Sequence, residues 1–240
     1  MKKIIALLLA LAMMIAFASC NKKTDSTKSD SSREAEIAAN DAVKLPDVVK
    51  GSMIFKDLGV VTFEIYPNQA RQSALNFIYL VNKGHYNGII VDRLVKDFCI
   101  QAGDYQSGFV PRETEKNYTI KGEFSANGVD NKLAFTKGAM AWVRVGDDYN
   151  SAHTEFAIYP YPETSWDLAG KYAVFGIVTG EDSFKVLEKI NKRKTYAEKP
   201  SKEIMITSVT LEPIDQEGFD PTFEFPEPNF IYAETTKSEG

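Results

Sequence analysis

The side chains that most often carry covalent or metal chemistry are scarce in this chain: two His, at 85 and 153, and two Cys, at 20 and 99. That is too few for a conventional zinc site or a disulfide framework. His85 falls in a helix-exit turn and His153 in a loop. Neither has a Ser or Cys placed to complete a nucleophilic triad, so both read as structural. Cys99, between Phe98 and Ile100, reads as a small buried apolar residue rather than a reactive thiol. No glycine-rich phosphate loop occurs. Lys+Arg is 28 against 33 Asp+Glu, a net charge of -5. Without a basic surplus to neutralise phosphates, a nucleic-acid-binding role is disfavoured. Nothing in the sequence calls for a cofactor or a metal.

Cys20 has a different meaning. Lys2 and Lys3 precede an uncharged, almost wholly apolar run from Ile4 to Ser19. That run is short for a bilayer-spanning helix and has the layout of a secretory signal. It closes on Ala18-Ser19, directly followed by Cys20, which resembles the lipobox of bacterial lipoproteins, with Phe17 where Leu is usual. The resemblance implies residues 1–19 as a signal peptide, lipidation of Cys20 and an extracytoplasmic, membrane-anchored protein. A plain signal peptide cut near Ala18 and a signal anchor are the alternatives. With Cys20 lipidated, Cys99 is left without a partner for an intramolecular disulfide; without the anchor a Cys20–Cys99 bond is conceivable. In a bacterial setting the Asn117-Tyr118-Thr119 glycosylation sequon is best read as chance.

The elements that would position any chemistry lie further on. The chain is 240 residues, 44% hydrophobic and 25% charged, ordinary for one large folded domain with extensions. Residues 20–45 are Ser, Thr, Lys, Asp, Glu and Ala with almost no large apolar side chain, which predicts a flexible tether. Residues 46–212 form the domain. Residues 213–240 are an acidic tail, either laid on the domain through Phe219, Phe223 and Phe225 or disordered. Within the domain, Met53–Phe55 and Val60–Tyr66 flank a hairpin signal at Lys56-Asp57-Leu58-Gly59, and Val61, Phe63 and Ile65 alternate with polar residues. Ala70, Ala74, Phe77, Ile78 and Val81 then form a helical stripe stopped at Gly84. A second helix is expected over about Asp182 to Lys192. Further strands are expected at Ile89–Val95, Phe98–Gln101, Ala139–Arg144, Glu155–Tyr159, Ala173–Val178 and Ile204–Leu211. Eight short strands with two helices suit a small closed barrel, although this pattern alone also allows a sandwich.

Three ordered segments resemble the cyclophilin family of peptidyl-prolyl isomerases. The first is Ala74-Leu75-Asn76-Phe77 leading to Gly84-His85-Tyr86-Asn87-Gly88. The second runs from Val91-Asp92-Arg93 to Phe98-Cys99-Ile100-Gln101-Ala102-Gly103-Asp104, similar to F-H-R-V-x-x-x-F-x-x-Q-G-G-D. The third joins Gly138-Ala139-Met140-Ala141, Asn150-Ser151-Ala152-His153-Thr154-Glu155-Phe156-Ala157-Ile158 and Gly170-Lys171-Tyr172-Ala173-Val174-Phe175-Gly176. The resemblance implies a mainly β fold, a closed eight-stranded antiparallel barrel capped by two helices. It also implies an enzyme that rotates X-Pro bonds. Rotation breaks no bond but must cross a barrier of ~18–20 kcal/mol, because the nitrogen lone pair is delocalised into the carbonyl. A donor aimed at the prolyl nitrogen localises that pair, and an apolar hollow holds the ring.

By the same resemblance Arg93 is the donor and Gln101 its support. Phe98, Cys99, Val143, Arg144, Glu155, Phe156, Ala157, Trp166, Leu168 and Tyr172 line the substrate pocket. The departures from the family pattern are Asp92 for His, Glu155 for Gln, and Ala157 for the Phe of the pocket floor. A one-residue slip of that strand would turn Phe156 to the site instead. The implied partners are proline-containing polypeptides, exported proteins folding near a membrane, with the protein itself a monomer. A cyclophilin-like binding module of weak or no activity, or a surface adhesion lipoprotein, is the alternative.

Overall fold

The computed structural model describes residues 30–161 and 166–232. The signal segment 1–19 and Cys20 lie outside the described residues. Eight strands build the domain: β1 (Val49–Phe55), β2 (Gly59–Ile65), β3 (Ile89–Val95), β4 (Cys99–Gln106), β5 (Ala139–Trp142), β6 (Phe156–Tyr159), β7 (Val174–Thr179) and β8 (Met205–Leu211). Their order is β3-β8-β1-β2-β7-β5-β6-β4, and β4 pairs back onto β3, so the sheet closes into a barrel. Every pairing is antiparallel. β1 begins four residues before the expected strand because Lys50-Gly51-Ser52 interrupts the apolar pattern. A side chain at Gly51 would meet the Phe63 ring and sit 2.6 Å from the Thr210 carbonyl oxygen, so only glycine lets these strands approach.

Alternation along each strand sends one set of side chains inward. Val61, Phe63 and Ile65 of β2, Met140 and Trp142 of β5, and Phe156 and Ile158 of β6 are all buried in one core. The helix α2 (Arg71–Asn82) drives Phe77 into its middle. The Phe77 ring lies 5.1 Å from those of Tyr86 and Phe175, 5.4 Å from Phe156 and 5.6 Å from Phe63. α2 has no cap of its own, since Ala70 at its N-cap makes no side-chain bond. Buried Glu123 supplies one from a distant loop, accepting the backbone N–H groups of Gln72 at 3.0 Å and Ser73 at 2.7 Å. A carboxyl at that end also complements the helix dipole. The helix α3 (Glu181–Asn191) covers the barrel with Val186, Leu187 and Ile190.

The tether expectation is corrected from Asp30 onward. A helix, α1, spans Asp30–Ala42 and is held by polar contacts rather than an apolar stripe. Arg33 Nη2 donates to the Phe230 carbonyl at 2.7 Å, Asn40 Nδ2 to the Glu227 carbonyl at 3.3 Å, and Asn229 Nδ2 to Asp41 at 3.1 Å. α1 and the tail therefore hold one another. The tail lies on the domain: Phe230 is buried 4.1 Å from the Tyr118 ring, and Ile231–Tyr232 pairs with Tyr118–Thr119. Phe219, Phe223 and Phe225 pack in series against the core.

Candidate active site

The site begins with a backbone irregularity. Where β3 pairs with β4, Val91 faces Ala102 and Arg93 faces Gln101, so Asp92 is an extra residue, a β-bulge. Because of it, Val91 and Leu94 both turn into the barrel while Arg93 turns out, opposite Gln101. The same parity runs through the neighbours. Ile100, Ala102, Phe156 and Ile158 point inward, whereas Cys99, Ala157, Tyr159, Ala139 and Ala141 form a second apolar cluster on the outer wall. Val95, Phe98, Leu133, Val143, Leu168 and Tyr172 pack around that cluster while remaining partly exposed.

The Arg93 guanidinium is held on two sides. Nη1 donates to the Gln101 Oε1 atom and lies 3.4 Å from the Cys99 sulfur. Nε donates to Glu198 at 2.7 Å. Glu198 sits at the turn of a hairpin, Thr195–Tyr196 against Lys199–Pro200, in a left-handed conformation with φ of 63°. The Arg93 side chain retains 38% of its exposure, and among the described residues Nη2 makes no hydrogen bond. The guanidinium therefore stays charged and offers a free donor edge. Gln101 is buried, and its Nε2 donates to Glu155 at 3.0 Å. Burial pushes the Cys99 thiol up to about 11, so it remains protonated at neutral pH and acts as a small wall residue. Burial likewise raises the Tyr159 hydroxyl.

Most residues expected at the site are brought together: Arg93, Gln101, Phe98, Cys99, Val143, Glu155, Ala157, Leu168 and Tyr172 share this wall. Arg144 lies at its edge, 4.4 Å over the Tyr172 ring, with Nε on the Lys171 carbonyl at 3.1 Å. Trp166 opens a single turn, Trp166–Leu168, and its side chain lies outside the described residues. Phe156 is the correction. No slip occurs: Ala157 pairs with Gln101 and Ala141, and Phe156 faces the barrel interior against Phe77 and Tyr86. His85 and His153 are structural, the first donating through Nε2 to the Gly103 carbonyl at 2.8 Å, the second edge-on to Tyr118.

Three contributors lie outside the expected set. Tyr159, two residues beyond Ala157 on the same strand face, brings its ring to 5.6 Å from Phe98 and 5.1 Å from Phe135. It supplies aromatic bulk beside the residue that lacks it, a relation visible in the strand's period of two. Ala141 is readable in the same way. Glu198 carries no sequence signal, since its contact crosses 105 residues. The floor is also closed. Cys99 and Ala157 are each 1% exposed, so what faces solvent beside Arg93 is the half-buried rim of Phe98, Val143, Leu168 and Tyr172. A cavity of about 430 Å³ opens next to the rim, lined by Leu133, Phe135, Gly170 and Tyr172 among others, but not by Arg93 or Gln101.

Residues 52–211 match the family model for cyclophilin type peptidyl-prolyl cis-trans isomerase/CLD. The chain belongs to the cyclophilin family. It is 35% identical over 153 residues to peptidyl-prolyl cis-trans isomerase cypE of Dictyostelium discoideum, covering 64% of this chain and 92% of that protein. A putative bifunctional phosphatase/peptidyl-prolyl cis-trans isomerase of Streptococcus pyogenes is 25% identical over 177 residues, covering 64% of this chain and 37% of that one. In fold it is similar to a Cryptosporidium parvum cyclophilin type isomerase crystallised in the presence of the dipeptide Ala-Pro. That likeness has a TM-score of 0.58 at 22% identity, over 68% of this chain and 98% of that one. This cyclophilin is accordingly a peptidyl-prolyl isomerase, and cyclophilins bind proline-containing peptides.

Because Tyr159 and the rim already occupy the space around residue 157, restoring the family's aromatic there overpacks the wall. Ala157→Phe is expected to lose about 1–3 kcal/mol in urea unfolding. A variant as stable as the parent would show that an open hollow exists over Ala157.

Proposed function

We propose that this cyclophilin isomerises X-Pro bonds of exported polypeptides, with Arg93 as the electrophilic donor and Gln101 as its support. The observation that carries the reading is the cross-strand pair itself: a guanidinium fixed by a buried carboxamide, with a free edge beside an apolar rim. As the peptide twists, the prolyl nitrogen becomes pyramidal and its lone pair localises. A charged N–H at that nitrogen stabilises the twisted state more than the planar one, which is the condition for catalysis. The ring would rest on Phe98, Val143, Leu168 and Tyr172. The protein acts as a monomer held at an extracytoplasmic membrane surface through a lipid on Cys20, a reading that rests on the Ala18-Ser19-Cys20 sequence.

A second reading has its own support. Glu198 occupies Nε of Arg93 and the floor at Ala157 is covered, features that favour a cyclophilin-like module that binds peptides and turns them over weakly. An exchange assay on a proline peptide separates the two. The isomerase reading expects catalysis that falls at least ~100-fold in Arg93→Ala, the loss typical of one preorganised donor. Equal rates in parent and variant favour the binding module. Labelled palmitate is expected to enter the parent and not Cys20→Ser; uptake by both, or by neither, contradicts the anchor.

A further inference from the structure

Two residues at which this chain departs from the family pattern, Asp92 and Glu155, meet in space. Asp92 occupies the bulge in β3, and Glu155 stands just before β6 with its carbonyl bound by the Val143 N–H at 3.0 Å. Their carboxyl groups hydrogen-bond to each other. Asp92 Oδ1 is buried with no hydrogen-bond donor, while Glu155 Oε1 accepts from Gln101 Nε2 at 3.0 Å. Two carboxylates in such contact cannot both stay ionised, and a shared proton holds them together. The contacts continue without a break from Asp92 through Glu155 and Gln101 to Arg93.

That chain has a direction. A carboxamide can turn over, exchanging its oxygen and nitrogen. With a carboxyl oxygen on one side accepting, Nε2 of Gln101 must face Glu155, and its oxygen must face the guanidinium. We propose that Asp92 and Glu155 work as a proton-sharing positioning pair, which orients the Gln101 carboxamide toward Arg93 and keeps one negative charge, rather than two, beside that guanidinium. The inference rests on the reading of Arg93 as the donor.

The surroundings favour retention of the proton. Burial first, and for Glu155 the neighbouring Asp92 charge next, raise the groups, Asp92 to about 6 and Glu155 to about 8. Asp104 on β4 contributes to both rises, while Lys199 of the neighbouring hairpin works against that of Asp92 and the Gln101 bond against that of Glu155. Arg93 and Glu198 lie beyond Gln101, and Cys99 and Tyr159 stay protonated. Glu155 has a raised value, so the proton is present below it and is lost as pH rises through about 8. The added charge then pushes the two carboxyls apart and weakens the positive field of Arg93, while Gln101 stays on Glu155.

The test is kcat/KM on a proline peptide from about pH 6 to 9.5, for the parent and Glu155→Gln. A glutamine there accepts from Gln101 and donates to Asp92 at every pH, so it mimics the protonated acid permanently. The parent is expected to fall about tenfold across the alkaline limb, the order expected of one added charge acting on the guanidinium, and the neutral-to-alkaline rate ratio of Glu155→Gln to be close to unity. A flat parent profile, or the same fall in Glu155→Gln, overturns the pair. Carboxyl carbon NMR titration probes the same two groups independently of turnover. Glu155 titrating in the alkaline range, and moving toward an ordinary value of about 4.3 in Asp92→Asn, supports the pair. An ordinary Glu155 titration in the parent overturns it. Absence of catalysis in the parent at neutral pH would count against the isomerase reading alone, and the NMR result would still decide the pair.

Discussion

The site depends on one extra residue in one strand. Without the bulge at Asp92, the period of two would send residue 93 to the same side as Val91, into the barrel core. A guanidinium there would be buried among apolar side chains at a cost of several kcal/mol. With the bulge, Arg93 stands outside, directly across from Gln101, at the edge of an apolar wall. The side chains that flank it inherit their facing from the same parity. A local backbone choice thus selects which residues of three strands meet.

The barrel supplies rigidity rather than a cavity. Its interior is filled by Phe77, Phe63, Tyr86, Trp142, Phe156 and Phe175, closely packed rings that leave no room for a ligand among the described residues. Chemistry is therefore confined to the outer wall, where strand side chains and loops converge. Glu198 belongs to this design too. With Ala197 it supplies the two left-handed residues that a tight hairpin turn requires, and that turn carries its carboxylate to Arg93. The proposed role sets opposing needs at that arginine: it must be held still, yet keep enough positive field to act on a prolyl nitrogen.

Much of this is legible in the residues. The alternation of Val61, Phe63 and Ile65 and the helical stripe through Phe77 predict β2 and α2 closely, because both patterns record burial on one face. The ordered family segments carry Arg93 and Gln101 to positions directly across a strand pair. The helix α1 is not legible, since its contacts are polar and its partners lie 31 residues away in α2 or 187 and 197 away in the tail; a stretch without apolar periodicity reads as a spacer. The inward facing of Phe156 depends on strand register, which tertiary pairing decides. The Glu198–Arg93 and Asp92–Glu155 contacts each join strand β3 to a segment distant in sequence, and local spacing holds no trace of them.

The most direct measurement is a structure of the protein with an X-Pro peptide bound. The proline ring is expected on the rim of Phe98, Val143, Leu168 and Tyr172. An Arg93 Nη atom is expected within about 3 Å of the peptide at the prolyl bond, with Gln101 still on the guanidinium. A peptide seated only in the cavity beside Leu133 and Phe135, with Arg93 making no contact to it, would contradict the central role of that arginine.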